Sequence, residues 1–117
     1  MIRLQRVYEP PSDEDGMRIL VERLWPRGIT KERAKIDLWA RDIAPSGGLR
    51  KWYGHQEARW AEFREKYTGE LGGNREAVGM LRREIKGKSV TFVYAARAEG
   101  RNSAVVLKEY LENGARA

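Results

Sequence analysis

The chain has 117 residues, 41% of them apolar, a formal net charge of +6 and no cysteine. Its length suits a single domain, 1–117, that can bury a sizeable core without disulfides. The absence of cysteine excludes disulfides, thiolate nucleophiles and cysteine-ligated metals. No segment approaches the roughly 20 apolar residues of a membrane helix, so we expect a soluble, cytoplasmic protein without a signal peptide.

The first half of the chain contains two predicted strands and a third segment that is either a half-buried strand or an extended segment. Residues 2–8 and 17–24 are rich in apolar and β-branched side chains, and residues 36–44 alternate apolar and polar positions. Pro26 ends the second strand because proline lacks a backbone N–H and restricts the residue before it. Thr30 is then a suitable N-cap for a short helix.

The second half contains most of the predicted helices and one buried strand. Ser46 is a natural N-cap for a short helix, and longer helices are predicted over 57–71, 74–86 and 104–111. Residues 88–96 form a continuous apolar run, typical of a strand covered on both faces. The apolar faces predicted for the first two long helices are Trp60, Phe63, Tyr67 and Leu71, then Ala77, Met80, Leu81 and Ile85.

Strands that alternate with helices predict an α/β domain with a small, mostly parallel sheet of three or four strands and helices packed around it. The segments 22–30, 40–50 and 95–104 each follow a predicted strand and lead into a helix start. In a parallel sheet these turns meet at the carboxyl edge, where ligands commonly bind, and arginines beside helix N-termini attract anions. The predicted ligand-binding residues are Arg23, Trp25, Arg27, Ser46, Arg50, Arg97, Arg101 and Asn102.

Some of these residues also have structural interpretations. Arg23 or Arg27 could form an internal salt bridge with an acidic residue of 13–15 or 37–42, and the aromatic side chain between them could belong to the core. His55 is the candidate general acid–base because imidazole titrates near neutrality. A histidine at a helix end can equally cap or pack, so no catalytic residue is assigned.

The charge leaves the kind of partner open. A net charge of +6 favours an anionic small ligand, such as one bearing phosphate, but a nucleic-acid-binding module or a subunit that meets an acidic protein would also use a basic surface. Helices 57–71 and 74–86 are joined by a short Gly72-Gly73 turn that resembles helix-turn-helix spacing, although the second helix carries glutamates beside its arginines. Neither glycine-rich phosphate motif is present. One histidine and no cysteine predict no metal site, and no cofactor is expected.

Several segments together resemble the YeaO-like proteins of domain-of-unknown-function family 488, which occur in bacteria and archaea. The segments are RILVERLWPRGITKER, DLWARDIAPS, LRKWYGH, RWAEFREKY, VYAAR and NSAVVL. The resemblance covers nearly the whole chain and implies no established activity. The positions that match the family's motifs are Arg23, Trp25, Pro26, Arg27 and Gly28, then Ala44, Pro45, Ser46, Arg50, Trp52, His55, Tyr94 and Asn102.

One position departs from the family pattern. Arg101 stands where the resemblance implies a histidine before Asn102. A reaction that needs that histidine would be lost here, whereas an anion contact would survive the change.

Overall fold

The sheet has four strands in a computed structural model that describes residues 2–114. The strands are β1 (Ile2–Arg6), β2 (Met17–Leu20), β3 (Leu38–Trp39) and β4 (Val90–Tyr94). Their order is β1-β4-β2-β3, and every neighbouring pair is parallel. The predicted α/β domain with a small parallel sheet is confirmed, and the carboxyl ends of all four strands therefore lie at one edge.

Five α-helices accompany the sheet within these residues. They are α1 (Lys31–Ala34), α2 (Gly47–Tyr53), α3 (Trp60–Gly73), α4 (Arg75–Ile85) and α5 (Ser103–Gly114). Thr30 Oγ1 accepts a hydrogen bond of 3.2 Å from the Arg33 N–H, and Ser46 Oγ accepts one of 3.2 Å from the Leu49 N–H. The N-caps predicted at Thr30 and Ser46 are confirmed. No helix in 2–114 is long and apolar enough to cross a membrane.

The larger core lies between one face of the sheet and helices α2 to α5. Every residue of β4 is buried, and Phe63, Tyr67 and Leu71 of α3 pack in this core at helical spacing. The Tyr67 hydroxyl donates a hydrogen bond of 2.7 Å to the Ile43 carbonyl, so the buried polar group is satisfied. Three of the four positions predicted for the α3 stripe are thus fully buried, and Trp60 is partly buried.

A smaller core covers the opposite face of the sheet, because successive strand residues point to opposite sides. Its buried members are Val7, Leu20, Ile29, Ala34 and Val93. The loop after β2 crosses to this face, where Trp25 packs edge-on against Trp39 with ring centroids 5.6 Å apart. Beside them Arg18, which is 4% exposed, donates to the Ala34 carbonyl at 3.0 Å and to Asp15 Oδ2 at 2.6 Å.

Several details differ from the sequence predictions. The second strand ends at Leu20, before the predicted stop at Pro26, and α3 includes the Gly72 and Gly73 that were predicted to form a turn. The strand expected over 36–44 is reduced to Leu38–Trp39, because the chain turns into a 3₁₀ helix at Arg41–Ile43. Met80, predicted to pack in the core, is 55% exposed, and Val78 of the same helix is buried instead. Leu81 is buried in the core and Ala77 and Ile85 pack against it, so Met80 is the one member of the predicted face of α4 that the core does not cover.

Candidate functional site

A cleft of about 240 Å³ opens at the carboxyl ends of β2 and β4. Glu22 enters it from the turn after β2, and Ala95 and Ala96 line it directly after β4. The other walls come from α2 and its end, with Arg50, Tyr53 and His55, and from the start of α5, with Arg101, Asn102 and Ser103. The cleft thus joins turns that are far apart in sequence, as expected for the carboxyl edge of a parallel sheet.

The charges that line this cleft distinguish it from three other depressions on the described surface. Two arginines face one glutamate here, together with a histidine. A groove of about 650 Å³ between β3 and α4 carries three carboxylates and one arginine, and depressions of about 390 and 150 Å³ also carry more carboxylates than arginines. Of these four, the cleft beside α2 and α5 has the lining that suits an anion.

The two arginines of the cleft are accessible to a ligand. Arg50 is exposed, and within residues 2–114 its guanidinium forms no ion pair. Arg101 Nη1 lies 3.2 Å from Glu57 Oε1, but both side chains are exposed. An exposed pair of this kind contributes about 0.2–1 kcal/mol, so a ligand anion can compete for Arg101.

Glu22 places a carboxylate among these cations. Its Oε2 accepts a hydrogen bond of 3.1 Å from the Ala95 N–H. Burial raises the pKa of Glu22, while the hydrogen bond from Ala95 and the positive charges of Arg50 and His55 oppose that shift. The sequence analysis did not include Glu22 among the site residues. Its position, as an acidic residue just after the buried residues of β2, could have indicated it.

His55 stands at the rim of the cleft in a sparsely populated backbone conformation. Its φ is 58°, and the preceding Gly54 has a φ of 50°. A residue with a Cβ adopts this left-handed region at a cost of about 1–2 kcal/mol, although histidine is among the more tolerant types. Backbone strain of this kind is concentrated at functional sites. Lys35, which does not line the cleft, has a similar φ of 48°, so the conformation assigns no role by itself, and the general acid–base role of His55 stays a prediction.

Asn102 shapes the cleft through its backbone contacts. Its side-chain amide donates to the carbonyls of Ala98 at 2.8 Å and Glu99 at 3.1 Å, and its Oδ1 accepts from the Val105 N–H at 3.1 Å. The side chain is buried and its hydrogen-bonding capacity is used within the protein. Asn102 therefore caps α5 and orders the loop that carries Arg101.

Two predicted ligand-binding residues have internal partners outside the cleft. Arg23 donates to the Pro45 carbonyl at 3.2 Å and to the Ala44 carbonyl at 3.0 Å. Ser46 Oγ donates to Glu70 Oε2 at 2.5 Å in addition to capping α2. Both line the neighbouring depression of about 150 Å³. The internal contact of Arg23 is with carbonyl oxygens, and in the described residues it forms no ion pair.

Three further predicted residues also lie outside the cleft. Trp25 Nε1 donates to the Ile29 carbonyl at 2.6 Å, within the loop that packs on the opposite face of the sheet. Arg27 of that loop and Arg97 after β4 are exposed and do not line the cleft. The structure thus brings together Arg50, His55, Arg101 and Asn102, and a ligand role for the other residues stays a prediction.

The described residues do not contain a set of side chains arranged to bind a metal ion. Within residues 2–114, no three side chains of His, Asp or Glu cluster as metal ligands do. The chemistry that the cleft can offer is that of two guanidinium groups, an imidazole, a carboxylate and the N-terminus of α5.

Fold and cleft together define a small α/β protein with a cleft lined by two arginines at the carboxyl edge of a parallel sheet. A family model described as "Inactive DUF488-N3 subclade" matches residues 1–117, and the chain belongs to this family. The uncharacterised protein YeaO of Escherichia coli is 39% identical over 112 residues, which cover 96% of this chain and 97% of YeaO. An uncharacterised protein of Mycobacterium tuberculosis is 42% identical over 110 residues, which cover 94% of this chain and 92% of that protein. The resemblance to YeaO-like proteins is confirmed. No solved structure matches the chain.

Proposed function

We propose that this protein binds a small phosphate-bearing or other anionic ligand, in the cytoplasm, at the cleft between α2 and α5. The observation that supports the proposal is the convergence of Arg50, His55 and Arg101 beside the start of α5. The volume of about 240 Å³ is below the roughly 300–1,000 Å³ of drug-sized ligand sites. The cleft therefore suits one anionic group with a small body attached.

The energetics of the cleft are adequate for such a ligand. A hydrogen bond to a charged group contributes about 1.5–3 kcal/mol. The 12-residue helix α5 directs its N-terminus at the same edge, where its free N–H groups and partial positive charge favour an anion. Exposure of Arg50 allows it to reach a ligand without breaking an internal contact among the described residues.

A binding role has more support than a catalytic one. The matching family is described as inactive, and the relatives of this chain are uncharacterised. His55 and Glu22 would be the acid–base groups of any reaction, because imidazole and carboxyl side chains commonly act as general acids and bases and both line the cleft. No substrate or reaction is assigned to them.

The test uses two arginine variants that differ in their position. Thermal shift with phosphates, nucleotides and carboxylates identifies a ligand, and calorimetric titration then measures its affinity for wild type, Arg50→Gln and Arg27→Gln. Loss of one charged contact should weaken binding by roughly ten- to a hundredfold in Arg50→Gln, whereas Arg27→Gln should bind as wild type does. If only Arg27→Gln loses affinity, the ligand is held by the loop after β2. If no anion binds to wild type, the proposal is wrong.

The alternative is a nucleic-acid-binding module, which the net charge of +6 favours. Against it, α4 carries Glu76 and Glu84 beside Arg83 on its exposed surface, and a recognition surface is usually more uniformly basic. Binding through phosphates would lose about 0.9 log units of affinity per neutralised phosphate for each log unit of salt on duplex DNA. If neither DNA nor RNA binds in low salt, the remaining alternative is that the basic surface meets an acidic protein partner.

A further inference from the structure

Glu22 is an unexpected residue for an anion site, since its carboxylate lies in the cleft that the arginines make basic. Its Oε2 is occupied by the Ala95 N–H at 3.1 Å. Within residues 2–114, no group donates a hydrogen bond to its Oε1, and no ion pair joins Glu22 to Arg50 or Arg101. The free oxygen therefore belongs to the surface that a ligand meets.

An ionised carboxylate can only accept hydrogen bonds. Arg50 and Arg101 can only donate them, so the cleft presents donors on two sides and an acceptor on a third. An oxyanion without a hydrogen accepts hydrogen bonds from the arginines, but its oxygens and the Glu22 oxygen repel each other because neither can donate a hydrogen bond. An oxyanion with an O–H group can donate that hydrogen to Glu22 while its remaining oxygens accept from the arginines.

From this arrangement we infer that Glu22 selects a protonated oxyanion, such as a phosphate group that keeps an O–H, over one that has no hydrogen to donate. The inference rests on the proposed function, because it concerns the ligand of the same cleft. It narrows the ligand class from anions in general to anions that carry a hydrogen-bond donor beside the charged oxygens.

The two probes are inorganic phosphate and sulfate, which are both tetrahedral and of similar size. At neutral pH phosphate retains at least one O–H, whereas sulfate has none. Calorimetric titration on the full chain should show that wild type binds phosphate roughly ten- to a hundredfold more tightly than sulfate. Phosphate donates a hydrogen bond to the Glu22 carboxylate, whereas sulfate is repelled by it.

Two variants separate the role of Glu22 from that of negative charge near the cleft. Glu22→Gln keeps an oxygen that accepts from the Ala95 N–H and adds an amide N–H group that can donate a hydrogen bond to either anion. It should bind sulfate more tightly than wild type does, and its preference for phosphate should fall to about threefold or less. The control is Glu57→Gln, which removes the exposed carboxylate paired with Arg101. This variant should retain the preference of wild type.

The outcomes distinguish this inference from the proposed function. Equal binding of phosphate and sulfate by wild type, or a preference that survives in Glu22→Gln, overturns the selection by Glu22 and leaves an anion site in place. Binding of neither anion by folded wild type overturns the proposed function and the inference with it. Equal binding of the two anions by wild type overturns the selection by Glu22 even if Glu22→Gln does not fold.

Discussion

The buried ion pair of Asp15 and Arg18 offers a sharp test of how this small domain is stabilised. Asp15 Oδ2 accepts from Arg18 Nη1 at 2.6 Å and from the Ser12 N–H at 2.9 Å. Both charged residues are nearly inaccessible, at 7% and 4% exposure. Arg18 also donates to Gln5 and Ala34, but its Nη2 is buried and has no partner among the described residues.

Asp15→Ala would leave the guanidinium of Arg18 buried without its counter-charge. Removing one partner of a buried pair typically costs about 3–5 kcal/mol. The entropy of unfolding is roughly 2.1 cal/mol/K per residue, or about 0.25 kcal/mol/K for a chain of 117 residues. We therefore expect Asp15→Ala to lower the melting temperature by about 12–20 °C.

Glu14→Ala is the matched control, because Glu14 is the preceding residue and also faces an arginine. Its carboxylate lies 4.0 Å from Arg3 Nη1, and the two side chains are 83% and 48% exposed. An exposed pair contributes about 1 kcal/mol at most, which corresponds to a shift of no more than about 4 °C. Differential scanning calorimetry on both variants measures the difference directly.

A double variant tests the cause. If Asp15→Ala is destabilised by an uncompensated buried charge, adding Arg18→Met should recover part of the lost stability. Equal losses in Asp15→Ala and Glu14→Ala, or a double variant no more stable than Asp15→Ala alone, would refute the reasoning.

Three further predictions concern the core and the cleft. Phe63→Ala removes a ring stacked on Tyr53 with centroids 4.3 Å apart and should cost about 3–5 kcal/mol in urea unfolding; an unchanged midpoint would mean that α3 does not pack as described. Because burial raises the pKa of Glu22 above its ordinary value of 4.5, its ionised form opposes folding at neutral pH and this penalty disappears in acid. Glu22→Gln should therefore be more stable than wild type near neutrality and lose that advantage as the pH falls through the raised pKa, and a difference independent of pH would contradict the assignment. His55→Gly relieves a φ of 58° and should keep or raise the melting temperature while weakening phosphate binding; a clear loss of stability would show that the imidazole ring contributes packing.

Much of the fold was determined by local patterns in the sequence. The apolar run over 88–96 predicted a strand buried on both faces. The strand β4 forms within this run and lies between β1 and β2 in the sheet. Spacing of three and four residues predicted the buried side of α3, and Thr30 and Ser46 marked two helix starts correctly. Such features depend on periodicity and capping, which neighbouring residues decide.

The tertiary structure decided which side chains reach the cleft. The sequence placed arginine-rich turns at one sheet edge, but the loop after β2 crosses to the opposite face because Trp25 and Ile29 pack in the smaller core. That path carries Arg27 away from Arg50 and Arg101, and it leaves Glu22 as the residue of the turn that enters the cleft. Contacts between segments far apart in the chain set this path, and no local pattern encodes them.

The same reason explains the positions of Met80 and His55. Met80 lies at a spacing that suits the core face of α4, yet the docking of that helix against the sheet leaves it 55% exposed. Gly54, the C-cap of α2, and His55 both have left-handed backbone conformations. The position of His55 therefore depends on where α2 ends beside the cleft. Sequence by itself therefore determined the elements and the edge at which a ligand site would lie, while packing between elements decided which charges meet there.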